Sequence, residues 1–117
     1  MKEGLEVIKA AKIKTANIMG FPMEPIETMA RESLPMASTM LTKIAESLGK
    51  VPVLGSTLQS IKRGTSTEVD YLNGEIVNLG KKMGIPTPAN SLMVELVHQV
   101  ETTRGFLTVD ELTQRLS

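Results

Sequence analysis

The sequence predicts an all-α protein, and three observations support that class. Apolar residues recur at alternating steps of three and four along several segments, which is the spacing of one face of a helix. Strand-length alternation of period two is not found. Aromatic residues make up 3% of the chain while methionine occurs eight times. The core is therefore expected to be aliphatic and adaptable, which suits packed helices better than stacked sheets.

The first predicted helix runs from about Lys2 to Ile18. Its end is expected at Gly20 and Pro22, because glycine readily adopts left-handed backbone at a helix end and proline cannot continue a helix. The apolar stripe of this helix comprises Leu5, Ile8, Ala11, Thr15 and Ile18 or Met19.

A second helical pattern continues from Ile26 to Gly49 and contains Pro35. Proline removes a backbone hydrogen bond and crowds the preceding turn. The pattern therefore predicts either a kinked helix or two helices with Pro35 in the first turn of the second, and the sequence leaves both open. Residues 50–55 are expected to connect this region to the next, because Pro52 favours extended backbone before it. The apolar positions are Ile26, Met29, Leu34, Ala37, Met40 or Leu41, Ile44 and Leu48.

Residues 54–90 carry the clearest pattern in the chain. Ser56 is expected to cap a short helix from about Thr57 to Lys62, which Gly64 ends. A long helix follows, and Gly84 with the two prolines after it is expected to stop that helix. Its apolar stripe comprises Val69, Leu72, Ile76, Leu79 and Met83.

The start of the long helix has two candidate caps. Thr65 and Thr67 are each followed three residues later by an acid, Glu68 or Asp70, which could accept a hydrogen bond from the cap's own N–H. The pair at residues 73–74, Asn-Gly, would ordinarily suggest a hairpin turn. We reject that turn because the apolar stripe passes through the pair without a change of period.

Two further helices are predicted after Pro88. The first has an apolar face around Leu96 and could be capped by Asn90 or Ser91. Gly105 is expected to interrupt it. The run at residues 108–111, Thr-Val-Asp-Glu, matches a capping box and predicts a last short helix ending near Leu116.

Composition excludes several functional classes. The chain has 117 residues, enough for one domain, with 13 basic and 13 acidic side chains. No broad attraction to nucleic acid or to an anionic membrane is therefore expected. There is no cysteine, which rules out thiol chemistry and fits a cytoplasmic protein. The charged start lacks the apolar block of a signal peptide, so we expect a soluble intracellular chain.

Three runs within residues 54–90 resemble the C-terminal domain of the ketopantoate reductases. They are STLQSI at 56–61, TEVDYLNG at 67–74 and GIPTPAN at 84–90. Members of this family are 2-dehydropantoate 2-reductases, which use NADPH to make pantoate. The resemblance implies a helical bundle like the C-terminal domain of 6-phosphogluconate dehydrogenase-like reductases. It implies that residues 1–117 form one substrate and dimerisation domain, and that the N-terminal dinucleotide-binding domain is absent from this chain.

The same resemblance assigns roles to Ser56 and Glu68, which stand at the family's separation. It implies that Ser56 contacts the substrate, and that Glu68 is a catalytic residue near the catalytic lysine and the nicotinamide end of the cofactor. A hydroxyl at a helix start lies beside N–H groups that suit the carboxylate of a 2-oxo acid. A carboxylate in the cleft could orient a lysine or change its pKa. The alternative is that both residues only cap helices.

Other family features are not transferred to this sequence. Neither Lys9 nor Lys12 lies in the context of the family's catalytic lysine, and NADP is expected to bind to the missing N-terminal domain. The pattern from Gly74 to Lys82 has the wrong spacing for a phosphate loop and lies within a helix. His98, the single histidine, is interpreted as a helix residue without acidic neighbours, and no metal site is predicted. Val53 replaces a common family asparagine, which allows another 2-oxo acid as substrate.

Two functional hypotheses remain at this point. In the first, the chain forms one wall of the substrate cleft of an NADPH-dependent 2-dehydropantoate 2-reductase-like oxidoreductase and is inactive alone. In the second, it is a non-catalytic helical assembly module. Either way a homodimer is expected, because a helical domain without its neighbour exposes apolar surface.

Overall fold

Helices account for all of the regular secondary structure in the part of the chain that the structure describes. This computed structural model describes residues 1–17, 23–47 and 55–116. Seven helices and no strand occur within those ranges, so the all-α prediction is confirmed. None of these helices is both long enough and apolar enough to span a bilayer.

The described residues divide into two compact units, Met1–Val53 and Leu54–Ser117. The first contains α1 (Lys2–Ala10), α2 (Glu24–Arg31) and α3 (Leu34–Ser47). The second contains α4 (Ser56–Arg63), α5 (Val69–Met83), α6 (Pro88–Thr103) and α7 (Val109–Leu116). The assignment of residues 1–117 to one domain stays a prediction.

Helix α1 is shorter than predicted, because it ends at Ala10 rather than near Ile18. Lys12 adopts left-handed backbone with φ 55°. Its N–H donates to the carbonyl of Lys9, and the next N–H, that of Ile13, donates to Ile8. This pair of bonds is the Schellman arrangement that ends many helices. Glycine usually takes the left-handed position, so the lysine gave no sequence signal. The predicted stop at residues 20–22 lies outside the described residues.

Pro35 separates two helices instead of kinking one. Helix α2 ends at Arg31, and α3 begins at Leu34 with Pro35 as its second residue. A proline costs little there, because the first N–H groups of a helix have no partner within the helix. The second of the two alternatives is therefore confirmed. Of the predicted connection at residues 50–55, residues 50–54 lie outside the described residues, and Gly55 precedes α4 in extended backbone.

Helices α5 and α6 pack against each other and form most of the core of the second unit. The buried apolar residues of this unit are Ile61, Val69, Leu96 and Val100. Gly64 and Gly84 end α4 and α5 with φ of 78° and 68°, as predicted. The rejected hairpin turn is indeed absent, since residues 73–74 lie inside α5.

The apolar stripe of α5 is only partly buried. Val69 is buried, whereas Leu72 is 56% and Met83 41% exposed. The face toward α6 also contains Asn73 and the buried Gly80. A methyl group on Gly80 would lie 2.8 Å from the carbonyl oxygen of Ile85. The prediction that all five stripe residues face a core is therefore wrong for Leu72 and Met83 in the described residues, and the face toward α6 includes a glycine and an asparagine instead.

Of the two predicted helix starts after α5, that of α6 differs from the prediction and that of α7 agrees with it. Thr87 precedes α6 and Pro88 is its first residue, so neither Asn90 nor Ser91 is the cap. The capping box before α7 is confirmed. The N–H of Thr108 donates to a carboxylate oxygen of Glu111 at 2.7 Å, and the N–H of Glu111 donates to the Thr108 hydroxyl at 3.2 Å. These bonds hold the pKa of the Glu111 carboxyl below its usual value.

Candidate functional site

Ser56 is the first residue of α4 and is solvent-exposed. Gly55 occupies the capping position before it, in extended backbone. The prediction that Ser56 caps this helix is therefore wrong by one residue. Ser56 is instead one of the first residues of α4, whose N–H groups have no acceptor within the helix.

Glu68 immediately precedes α5, and its side chain makes no capping hydrogen bond. The backbone at this point is well anchored, because Thr67 and Val69 on either side are both buried. The carbonyl oxygen of Glu68 accepts hydrogen bonds from the N–H groups of Tyr71 and Leu72. The side chain of Glu68 is therefore exposed, while its backbone is held in place by the buried residues on either side.

The N–H of Thr67 donates to a carboxylate oxygen of Glu101 in α6 at 2.6 Å. The predicted capping box required Asp70 to accept this bond, and that prediction is wrong. Thr65 does not cap α5 either, because its hydroxyl donates to the carbonyl of Ser60. The Thr67 hydroxyl accepts a bond from the N–H of Val69 at 3.3 Å. An acid from another helix therefore completes the start of α5.

Hydrogen bonding changes the acidity of Glu101. The backbone N–H of Thr67, and after it the Thr67 hydroxyl, hold the pKa of the Glu101 carboxyl below its usual value. Hydrogen bonds donated to a carboxylate stabilise its charged form. Glu101 therefore stays ionised to lower pH than an ordinary glutamate would. Its charged carboxylate continues to accept the hydrogen bond from the Thr67 N–H over that range.

Arg104 connects the end of α6 to the end of α4. Its guanidinium donates to the carbonyl oxygen of Ile61 at 2.6 Å. A cation there also complements the partial negative charge of a helix C-terminus. Arg104 itself adopts left-handed backbone with φ 58° and follows the last residue of α6, Thr103, so the helix ends two residues before the predicted interruption at Gly105. Together, Glu101 and Arg104 tie the connection between α4 and α5 to one end of α6.

His98 is an exposed residue of α6, as predicted, but it has an acidic neighbour that the sequence analysis missed. One ring nitrogen lies 3.2 Å from the carboxylate of Asp70 in the first turn of α5. The two residues lie far apart in the chain, and only the pairing of α5 with α6 brings them together. Within the described residues, no group of three or more acidic or histidine side chains is placed to hold a metal ion.

Two of the grooves in the described units can be compared with the predicted site, and neither is lined by Ser56 or Glu68. The first, of about 630 Å³, lies among α1, α2 and the residues after α1. The second, of about 470 Å³, lies between the end of α6 and α7. Both predicted site residues belong to the second unit, at the starts of consecutive helices. Their placement in one substrate pocket stays a prediction.

The family model described as ketopantoate reductase PanE/ApbA C terminal matches residues 1–101. The chain belongs to this family. The helical architecture agrees with that membership, and the resemblance stated from the three runs in residues 54–90 is confirmed. No solved structure matches the chain significantly.

The curated relatives that it matches are 2-dehydropantoate 2-reductases. The one from Pyrococcus horikoshii is 30% identical over 102 residues, which cover 86% of this chain and 29% of the relative. The one from Aquifex aeolicus is 46% identical over 46 residues, covering 39% of this chain and 14% of the relative. The one from Pyrococcus abyssi is 44% identical over 50 residues, covering 43% and 17%. The family member described here thus spans less than a third of each relative's length.

Gly74 and Gly80 do not form a site for the pyrophosphate of a dinucleotide. Such a group needs a glycine-rich turn whose N–H groups point at the phosphates. Gly74 and Gly80 both lie within α5, where the backbone N–H groups serve the helix. Gly80 is also packed closely against Ile85 and Thr87. No step of a reaction is therefore assigned to a cofactor held by these residues.

Proposed function

We propose that this chain contributes the substrate-side helical domain of an NADPH-dependent 2-dehydropantoate 2-reductase-like oxidoreductase. Ser56 would bind the 2-oxo acid, and Glu68 would act at the reacting end of the cleft. The observation that carries this proposal is the family match, combined with a serine and a glutamate that begin consecutive helices at the family's separation. NADPH would be bound by another part of the enzyme.

The local structure supports a role beyond helix capping for both residues. Gly55 occupies the cap of α4, and Glu68 makes no capping bond to α5. Neither helix start therefore depends on a hydrogen bond from the side chain of Ser56 or Glu68. The capping alternative therefore loses its main physical support.

Each residue suits its proposed task chemically. A serine hydroxyl beside the first N–H groups of a helix can join them in hydrogen-bonding a carboxylate, and the helix dipole favours the same negative charge. A glutamate on a fixed backbone can accept a hydrogen bond from the ammonium group of a lysine or from a hydroxyl of the substrate. Such a bond holds the donor group in one orientation. The substrate class that fits is a small 2-oxo acid.

The test is a chimeric enzyme in which the matched segment of the Pyrococcus horikoshii relative is replaced by the corresponding part of this chain. We expect NADPH oxidation with 2-dehydropantoate or another small 2-oxo acid. Glu68→Gln should lower kcat roughly 100-fold, the scale of a lost proton-transfer group. Ser56→Ala should mainly raise KM, by about 10-fold, because one hydrogen bond to a charged substrate is lost.

Matched controls separate chemistry from folding. Glu95→Gln changes an exposed glutamate within α6, and Ser66→Ala changes an exposed serine before α5. Both controls should leave kcat and KM near the parent values. All four variants should melt within about 2 °C of the parent, since exposed substitutions have small effects. A folded chimera without turnover, or equal losses of activity and stability in Glu68→Gln, would contradict the proposal.

A second candidate function is helical assembly, and the surface of α3 favours it. Leu34, Ala37, Leu41 and Ile44 follow one another at alternating steps of three and four, the spacing of a coiled-coil seam. Leu34 is 87% and Leu41 50% exposed. The residues beside this seam, Ser38, Met40 and Ala45, carry no charge. The occupant proposed for the seam is α3 of a second copy, running antiparallel.

A homodimer through this seam is compatible with the first candidate function. In an antiparallel pair Leu34 would face Ile44 of the second copy, and Ala37 would face Leu41. Large and small side chains would then alternate without burying a charge. Sedimentation of the chain at micromolar concentration tests the proposal, because a monomer there would contradict it.

A further inference from the structure

The first turn of α5 is attached to α6 on both sides of Glu68. Before it, the N–H of Thr67 donates to Glu101 at 2.6 Å. After it, the carboxylate of Asp70 lies 3.2 Å from the ring of His98. The first contact is partly buried and the second is exposed. The short distance and the burial of Thr67 make the bond to Glu101 the stronger of the two.

The bond to Glu101 does more than satisfy one N–H group. Thr67 is bonded directly to Glu68. A shift of the Thr67 backbone therefore changes the direction of the Cα–Cβ bond of Glu68. If the Thr67 N–H were bonded to an acid of α5, residues of α5 alone would determine the position of Glu68. Because the acceptor comes from α6, the position of Glu68 is coupled to a second helix.

We propose that Glu101 is a positioning residue that sets the orientation of Glu68 through its hydrogen bond to the Thr67 N–H. This inference rests on the proposed function of Glu68 for its effect on turnover, but the hydrogen bond can be tested without activity. Glu101 does not touch the substrate in this scheme. Its contribution is to restrict Glu68 to one arrangement, which matters because small misplacements of a reacting group cost much of its rate.

Several titratable groups surround this bond. His98 and Arg104 share α6 with Glu101, and both favour its charged form. Asp70 and Glu68 belong to the start of α5, and the last turn of α4 carries Lys62 and Arg63. Of these, only Glu101 accepts the Thr67 N–H. A titration of the Thr67 amide signal that is lost in Glu101→Gln would therefore identify Glu101 rather than a neighbouring acid.

The first experiment uses the 117-residue chain and nuclear magnetic resonance. We expect the Thr67 amide proton to resonate far downfield and to move upfield as the pH falls through the pKa of Glu101. Glu101→Gln keeps a neutral acceptor, so the signal should move part of the way and stop titrating. Glu101→Ala should remove the effect and raise amide exchange at Thr67 at least ~10-fold. Glu95→Ala is the control and should leave the signal unchanged.

The second experiment measures turnover in the chimeric enzyme. We expect kcat to fall in the order parent, Glu101→Gln, Glu101→Ala, with a loss of about 10-fold in the last and little change in KM. The double variant Glu68→Gln with Glu101→Ala should be no slower than Glu68→Gln alone. A residue that acts only through Glu68 has nothing left to position once that carboxylate is gone.

The outcomes separate the two proposals. A Thr67 amide that does not titrate, or a double variant whose loss is the product of the two single losses, overturns the positioning role while Glu68 keeps its function. Glu68→Gln with full activity overturns the proposed function of Glu68, and the positioning role falls with it. The titration of Thr67 would then still report the hydrogen bond as a structural contact.

Discussion

At the scale of single residues, the packing of α5 on α6 depends on polar side chains as well as on the apolar stripe. Asn73 lies within the apolar stretch of α5 and donates its amide to the side-chain oxygen of Asn90 in α6 at 2.9 Å. Asn90 is buried. A partly buried amide pair of this kind aligns two helices, because any slip would leave a buried polar group without that bond.

Asn73→Ala should therefore destabilise the chain by about 1–2 kcal/mol, because Asn90 loses a hydrogen-bond donor. Asn78→Ala on the same helix is the matched control, since the Asn78 amide donates to the side chain of Glu75 in an exposed hydrogen bond. The control should change stability by no more than ~0.5 kcal/mol. Urea unfolding of both variants measures the difference. Equal effects would show that the amide pair contributes nothing specific.

At the scale of elements, two glycines of α5 experience different surroundings. Gly80 faces the turn between α5 and α6, where an added methyl carbon would lie 2.8 Å from both the Ile85 oxygen and the Thr87 methyl group. Gly74 has ordinary space, with its nearest neighbour, the oxygen of Val69, at 3.6 Å. The same substitution at the two positions should therefore have opposite signs.

Gly74→Ala should stabilise the chain by about 0.5–1 kcal/mol, because alanine restricts the unfolded backbone and favours helix. Gly80→Ala should destabilise it by about 1–3 kcal/mol, because the turn backbone must move to admit the methyl group. Thermal unfolding of the two variants provides the comparison. A stabilising Gly80→Ala would mean that the turn moves at little cost and does not constrain the packing of α6.

At the scale of the whole molecule, the proposed association of two copies of the chain depends on the exposed seam of α3. Helix α3 has 14 residues and is about 21 Å long. A single helix of this length covers less than the ~800 Å² per partner of a standard interface. We therefore expect micromolar rather than nanomolar dissociation of the proposed dimer.

Leu41→Glu should make the chain monomeric at about 50 μM, because it buries an unpaired charge in the centre of the seam. Thr42→Glu adds the same charge one residue away on α3, outside the seam, and should leave the dimer intact. Sedimentation velocity distinguishes the two species. A dimer that persists in Leu41→Glu would place the interface elsewhere and refute this role of the seam.

Local chemistry made part of this protein predictable from its sequence. The stops at Gly64 and Gly84 and the capping box at Thr108 depend on residues a few positions apart, as does the interruption at Pro35, for which the sequence left a kink and a division both open. Such signals act through backbone geometry within a single turn, so they need no knowledge of packing. The family could also be identified in this way, because its runs are contiguous in the chain.

The tertiary structure decided the contacts whose partners lie far apart in the chain. The acceptor for Thr67 comes from Glu101 rather than from its own helix, and Arg104 reaches the carbonyl of Ile61. Periodicity identifies the apolar side of a helix but not the neighbour that covers it, and several acids could have reached Thr67. Only the packing of α6 on α5 selects one, because a hydrogen bond requires its atoms to be within about 3 Å of each other.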